Sequence, residues 1–305
     1  MKSKLVIVLG PTAVGKTALA LELAERLNGE IINADSQQVY RYMDIGTGKP
    51  GLPERERIPH HLIDIVDPDE EFNAALFRRA AIDAIQNIRV RGKSAIVCGG
   101  TGLYLKVLTE GLFEGPGQDA ALRRVLASEI AERGLGTLYR RLIEMDPALG
   151  STIHPNDRQR IIRAVEVCQL TGRPLSEWQK AHAFKDDRFT LFKIGLNRDR
   201  AELYDLINRR SEAMVCMGLL EEVRRLGELG FGLALPPLQS VGYRQMGAVL
   251  EGKASLGEAL ALMKQETRHL AKRQLTWFRR DEEIRWYHPE QQKQEILRVV
   301  SGFFA

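Results

Sequence analysis

Gly10-Pro11-Thr12-Ala13-Val14-Gly15-Lys16-Thr17 follows directly on the apolar run ending at Leu9, and this junction decides the fold. The stretch fits G-x-x-x-x-G-K-[ST], a loop whose backbone N–H groups wrap a phosphate chain. Lys16 adds a point charge, and the Thr17 hydroxyl can hold Mg²⁺. On the N-terminal side, Leu5 to Leu9 reads as a short buried strand. On the C-terminal side, apolar residues recur at helical spacing from Lys16 to Leu27, until Asn28-Gly29 stops them. Strand, loop and helix N-terminus thus form one anion site, reinforced by the helix dipole. The ligand is phosphorylated. The motif leaves its identity open.

Working outward, residues 1 to about 113 alternate strand and helix. Glu30 to Asn33 reads as a second strand, Asn73 to Arg89 as a helix, and Ala95 to Cys98 as a third strand. This is the pattern of a parallel sheet with crossover helices. Gly111, Gly115, Pro116 and Gly117 then punctuate the chain, and from about 118 to 182 the signal is mainly helical. Thr190 to Leu196 reads as a returning strand, followed by two long helical stretches, Arg200 to Leu229 and Leu256 to Arg280. The expected fold class is α/β: a phosphate-loop parallel sheet flanked by helices, with a helical insertion. Residues 1–115 plus 190–305 form the core, and 116–189 the insertion.

The bulk numbers fit this. A chain of 305 residues with 44% hydrophobic and 28% charged residues can bury a sizeable core. A formal charge of +4 is mild, so affinity for nucleic acid must come from the placement of basic residues. Cys98, Cys168 and Cys216 form no C-x-x-C pair, which points to a reducing compartment and away from a disulfide framework. His60 and His61 are adjacent and lack companion ligands, so hydrogen bonding suits them better than zinc. No apolar run approaches the roughly 18 residues of a membrane span, and no signal peptide precedes the first strand. The expectation is a cytoplasmic protein, free of membrane and acting as a monomer.

In a parallel α/β sheet, ligands gather beyond the carboxyl ends of the strands. Three segments leave their strands there: the phosphate loop, Asn33-Ala34-Asp35-Ser36-Gln37-Gln38, and Gly99-Gly100-Thr101-Gly102. Asp35 and Thr101 therefore lie near the phosphates. A carboxylate beside a polyanion needs Mg²⁺ or work as a base to justify it. A helix cap or turn residue is an equally weighted reading of Asp35. Two helices carry basic faces. On one, capped by Asn156 or Asp157, Gln159, Arg160 and Arg163 share an arc opposite Ile161, Ile162 and Val165. On the other, Lys264, Arg268, Lys272 and Arg279 share a face opposite Leu270 and Trp277. Clustered cations of this kind neutralise backbone phosphates. Each alone is more often a solvated helix face, but two beside a phosphate loop favour a nucleic-acid substrate. A small-molecule or nucleotide kinase is the rival, since such loops usually bind ATP. No apolar run ending in Asp supplies its second nucleotide motif.

The ordered set of motifs resembles the tRNA dimethylallyltransferase family, also called tRNA isopentenyltransferases, over almost the whole chain. The strings are the loop at 10–17, Asn33 to Tyr40, Asp44 to Pro50, Pro59 to Asp64, and Gly99 to Tyr104. His154 to Asp157, Val241 to Gln245 and Ala271 to Arg279 complete the set. The resemblance implies transfer of a dimethylallyl group from dimethylallyl diphosphate to the exocyclic amine of the tRNA adenosine 3′ of the anticodon. The loop from Gly10 through Thr17 would hold the diphosphate, with Lys16, Thr17 and Mg²⁺ neutralising charge on the leaving group. It implies a general-base role for Asp35, a positioning role for Thr101, and a diphosphate contact for Arg210, with Arg209 one residue away as the alternative. Contacts to the tRNA anticodon stem-loop would come from Asp35, Ser36, Gln37, Gln38, Thr101 and Arg123. Further contacts would come from Gln159, Arg160, Ile161, Ile162 and Arg163, and from Ser240, Val241, Gly242, Tyr243, Arg244 and Gln245. The chain departs from the family pattern at Val14, where Ser is common, and at Gly48, where Ala is usual.

Overall fold

A strand as apolar as Lys4 to Leu9 needs neighbours on both edges and cover on both faces. The computed structural model, which describes residues 2–112, 115–182 and 187–304, supplies them. Strand β1 (Ser3–Leu9) lies in the middle of a six-stranded sheet, and Leu5, Val6, Ile7 and Val8 are fully buried. The phosphate loop follows, then α1 (Lys16–Arg26) and β2 (Gly29–Asn33). A loop and the short α2 (Leu52–Arg57) lead to β3 (His60–His61), then α3 (Ala74–Val90), β4 (Ser94–Gly99) and α4 (Gly102–Glu110).

After the helical segment the chain returns with β5 (Phe189–Leu196), which pairs with β1 from Ser3↔Phe189 to Leu9↔Gly195. Helices α10 (Arg200–Cys216) and α11 (Leu219–Glu228) come next. A single 3₁₀ turn (Pro236–Gln239) leads to α12 (Tyr243–Leu250) and α13 (Leu256–Phe278). Strand β6 (Arg285–Tyr287) and α14 (Lys293–Phe304) complete the unit. The strand order is β3-β2-β4-β1-β5-β6, and every pairing is parallel. The loops after β1, β2 and β4 therefore leave from one edge, where a ligand site forms.

The chain divides into two compact units, Met1–Thr109 with Asp187–Ala305, and Glu110–Asp186. The divisions fall a few residues before the expected 115/116 and 189/190, because α4 ends at Glu110 before Gly111 and β5 starts at Phe189. The second unit contains α5 (Ala120–Arg133), α6 (Leu135–Met145), α7 (Pro147–Gly150), α8 (Arg158–Thr171) and α9 (Leu175–His182). Its own core gathers Leu126, Leu138, Leu142, Ile161 and Val165.

Three features differ from the sequence reading. Strands β3 and β6 have only two and three residues, too few for any periodic signal. The helix expected over Arg200 to Leu229 breaks at Met217-Gly218, where Gly218 takes φ 100°. That break turns α11 so that its acidic first turn faces the loop 44–46. The histidine expectation matches the structure: His61 Nε2 meets Glu30 Oε2 at 2.7 Å and His60 Nδ1 meets the Ile58 carbonyl at 2.7 Å. Burial raises the Glu30 pKa, but hydrogen bonds from His61, Lys93 and Arg91 overrule it and bring the group to about 2.

Candidate active site

The phosphate loop turns through three residues with positive φ, Gly10 (146°), Ala13 (65°) and Gly15 (105°), the kind of backbone that lets successive amides form an anion-binding concavity. Val14 is fully buried in the core, so the departure at this position changes packing and leaves the backbone donors in place. Behind the loop, Arg198 donates Nε to the Val14 carbonyl (3.3 Å) and pairs with Glu290 (2.7 Å) and Glu202. Thr12, Ala13, Gly15, Lys16 and Thr17 line a cleft of about 1190 Å³; Gly10, Pro11 and Val14 stand behind it. Lys16 donates to the Pro11 carbonyl at 2.8 Å. Close packing pushes its ammonium down to about 8, with Cys98 and Asp35 opposing the shift and Arg210 adding to it. A cation held this far below its ordinary range lacks a full anionic partner.

Asp35 and Gln37 line the same cleft. Asp35 Oδ1 accepts the Gln37 amide (2.8 Å), an Asx turn that fixes the carboxylate, and no described residue hydrogen-bonds its other oxygen. The turn reading of Asp35 matches the structure, and the same turn leaves its side chain on the cleft wall. Thr101 does not line the cleft. Its Oγ1 accepts the Ser36 amide (2.9 Å) and its own amide donates to the Ala34 carbonyl (3.2 Å), so it ties the third loop to the second.

Helix α10 turns Arg210 into the cleft and Arg209 to solvent, where Arg209 is 74% exposed and pairs with Asp205 at 2.7 Å. The Arg210 guanidinium makes no hydrogen bond or ion pair with any described residue. Desolvation in the cleft wall lowers its pKa and Asp35 raises it, so a half-buried cation faces the cleft with one carboxylate nearby. It rests on Gly48: a Cβ there would lie 1.8 Å from Arg210 Nη2. The Gly48 backbone gives the guanidinium its seat, and a Cβ here would oblige the end of that flexible side chain to shift.

Sequence reasoning missed Gln274. Its Oε1 accepts the Thr12 amide (2.9 Å) and its Nε2 donates to the Gly100 carbonyl (2.9 Å), so one neutral amide joins the phosphate loop to the third loop. Beside it Trp277 fills the space where a Cβ on Gly102 would stand. The signal lay in the string Ala271 to Arg279, but a glutamine bridging residues some 170 and 260 positions away leaves no local trace. The basic face of α13 is also partly spent: Lys264 pairs with Glu212 (2.5 Å) and Arg268 donates to Asn208 (2.7 Å). Lys272 and Arg279 are exposed.

Several expected RNA contacts are corrected by burial. Ile161 (0% exposed) belongs to the core of the helical unit, Tyr243 is fully buried with its hydroxyl on Glu222 (2.6 Å), and Gln245 is buried. Gln245 Oε1 caps the Gly242 amide (2.7 Å) and its Nε2 reaches Glu266 (2.9 Å), which Arg244 also engages. The Ile161, Tyr243 and Gln245 side chains build the scaffold and do not reach the surface, whereas Arg244 is exposed. Ser240 and Val241 line the cleft, as does Gln38; Ser36 and Gly242 do not. In the helical unit Gln159 and Arg160 are exposed and Ile162 half-buried. Arg123 and Arg163 both grip Glu166, which is 0% exposed: Arg123 through Nε (2.8 Å) and Nη2 (3.0 Å), Arg163 through Nη1 (2.8 Å). Arg163 also donates to the carbonyls of Pro116 (2.7 Å) and Gly117 (3.2 Å). Burial raises the Glu166 pKa, and the two arginines more than reverse this.

A parallel sheet, a glycine-rich turn into a helix, and two underpaired cations facing a carboxylate in one cleft define a phosphate-loop enzyme built around an anionic ligand. Comparison with known proteins narrows the class. The family model described as IPP transferase matches residues 38–281. The tRNA dimethylallyltransferase of Geobacter metallireducens is 52% identical over 99% of this chain and 98% of its own. That of Syntrophobacter fumaroxidans is 52% identical over 97% and 86%. The full-length tRNA isopentenylpyrophosphate transferase of Bacillus halodurans superimposes with a TM-score of 0.73 at 40% identity, covering 99% of this chain and 97% of its own. A eukaryotic dimethylallyltransferase acting on tRNA gives 0.83 at 30% identity, covering 99% and 79%. The chain belongs to the IPP transferase family.

Proposed function

We propose that this protein transfers the dimethylallyl group of dimethylallyl diphosphate to the exocyclic amine of the adenosine 3′ of the anticodon in tRNA, releasing diphosphate. The observation that carries the reading is the convergence of Lys16, Arg210 and Asp35 on one cleft. The loop amides and the two cations would receive the diphosphate, and binding it would return Lys16 toward its ordinary pKa. The amine nitrogen attacks C1 of the allyl group as the C1–O bond breaks, and the electron pair leaves with the diphosphate. The Asp35 carboxylate takes the proton the amine sheds. An adenine amine is a weak nucleophile, so removing that proton as the bond forms lowers the barrier. Lys16 and Arg210 offset the charge that develops on the leaving oxygen.

The donor set fits Mg²⁺. Among the described residues no cluster of three or more His, Cys, Asp or Glu side chains could cage a metal alone. Mg²⁺ needs no such cage, because it takes phosphate oxygens and waters alongside one or two protein oxygens. The Thr17 hydroxyl, which lines the cleft, would hold it, and the bound ion would neutralise part of the diphosphate charge.

The target base is turned out of the anticodon loop to reach the cleft, at a cost of a few kcal/mol. Exposed Gln159 and Arg160 of the helical unit, and Lys272 and Arg279 of α13, are the side chains suited to phosphate contacts. No helix among the described residues is long and apolar enough to cross a membrane. The three cysteines are unpaired, which suits work in the reducing cytoplasm. Incubating labelled dimethylallyl diphosphate with total tRNA, then digesting to nucleosides, tests the proposal. Label in a prenylated adenosine is expected; label in free adenylate or in no nucleoside would overturn it.

A further inference from the structure

Glu222 stands in the first turn of α11 and does not line the cleft, yet it holds the loop that does. Its Oε2 accepts the amides of Asp44 (3.0 Å) and Ile45 (2.7 Å), and its Oε1 accepts the Gly46 amide (3.1 Å) and the Tyr243 hydroxyl (2.6 Å). Three consecutive amides converging on one point make an anion-binding concavity. Here the protein's own carboxylate fills it. The Tyr243 ring packs so closely under Gly46 that a Cβ there would lie 2.4 Å from it.

The far side of the same loop faces the cleft. The Thr47 and Gly48 carbonyls each accept Gln38 Nε2 at 3.2 Å, which orients the Gln38 amide, and Gly48 seats the Arg210 guanidinium. Lys49 closes the loop by donating to the Tyr40 carbonyl (2.5 Å) and reaching Asp44 (2.8 Å) and Asp64 (2.5 Å). A segment without regular structure would otherwise spread over many backbone conformations, and fixing each residue is entropically expensive. Its amide face has one carboxylate to hold it.

We propose that Glu222 is a positioning residue: by gathering the amides of Asp44, Ile45 and Gly46 with the Tyr243 hydroxyl, it fixes the loop against which Gln38 and Arg210 are set. This rests on the reading of the cleft as the diphosphate site. Glu222 touches no substrate, and its effect reaches the reaction through Arg210 and Gln38. A glutamine in its place offers one acceptor oxygen, and its NH₂ would oppose a backbone N–H.

The test is a double-mutant cycle on the full-length chain, reading inorganic diphosphate affinity by calorimetry with thermal unfolding alongside. Glu222→Gln and Arg210→Ala are each expected to weaken diphosphate binding roughly 10- to 100-fold, the range for hydrogen bonds to charged groups. The double variant should be weaker than the worse single by no more than about threefold, because both changes remove the same interaction. Single effects that multiply would overturn the proposal. So would a Glu222→Gln protein that melts earlier yet binds diphosphate as the unaltered chain does, which is what a purely structural role requires. If Glu222→Gln does not fold, Tyr243→Phe removes one donor and keeps the three amides. It should show the same coupling with Arg210→Ala at a smaller amplitude, roughly three- to tenfold; independence from Arg210 would again overturn the proposal. Diphosphate affinity untouched in Arg210→Ala would bring down the cleft reading and this proposal together, whereas a normal Glu222→Gln beside a weakened Arg210→Ala brings down this proposal alone.

Discussion

Two arginine sites in this protein look alike in sequence and behave oppositely in structure. In the helical unit, Arg123 and Arg163 close around Glu166, and three backbone groups complete the set: the Asp119 amide on Glu166, and the Pro116 and Gly117 carbonyls on Arg163. In the core unit, Arg210 lies half-buried with a carboxylate nearby and no hydrogen bond to any described residue. The first arrangement is satisfied and resists change. The second, with Lys16 held at about 8 beside it, is short of negative charge. The lesson is that a half-buried cation signals a ligand only when its hydrogen bonds are unspent.

The contrast is broken most severely at Asp35. Asp35→Ala is expected to lower single-turnover prenyl transfer by about 10²–10⁴-fold while sparing tRNA affinity, as loss of a general base does. An unchanged rate would remove Asp35 from the chemistry. The opposite site answers in stability. Glu166→Ala leaves two arginines facing each other without their anion, and urea unfolding should show a loss of about 2–3 kcal/mol. That lies below the 3–5 typical of broken buried pairs, because the arginines are partly solvated. No loss would mean the cluster does not hold its unit together.

Titration sharpens the comparison. A lysine whose pKa is depressed to about 8 loses its charge as pH rises through that value, so kcat/KM for the prenyl donor should fall above pH of about 8. In Lys16→Arg that limb should vanish, since a guanidinium does not titrate there; a limb that persists belongs to another group. The tRNA salt dependence comes next. Arg160→Ala should flatten the log–log slope by about one, as one phosphate contact does, and Arg163→Ala should lower stability first. Equal slope changes would show that Arg163 leaves Glu166 when RNA binds. The smallest effect is expected at Gly48. Gly48→Ala displaces the guanidinium of a flexible side chain, and diphosphate affinity should change by no more than about threefold, or ~0.7 kcal/mol.

The parts of this architecture written locally were legible. The strand–loop–helix at residues 3–26, the helix at 74–90 and the strand at 189–196 all carry unbroken periodicity over at least a turn or four residues. The arc that sends Ile161 inward and Arg160 outward is equally plain, although the family resemblance makes Ile161 a contact position. What stayed hidden depends on partners distant in sequence. Nothing near Arg123 announces Glu166, 43 residues on, and nothing near Asp44 announces Glu222, 178 residues on. A two-residue strand such as β3 exists because β2 offers it an edge, and its own residues encode no preference strong enough to read.

The strand order has a consequence for the nascent chain. Strand β1 lies between β4 and β5, so its second edge has no partner until residues 189–196 have left the ribosome, long after β1 itself. During synthesis a row of open amides and carbonyls, flanked by Val6 and Val8, waits while the whole of Glu110–Asp186 is made. The step most exposed to misassembly is the insertion of one late strand beside the first.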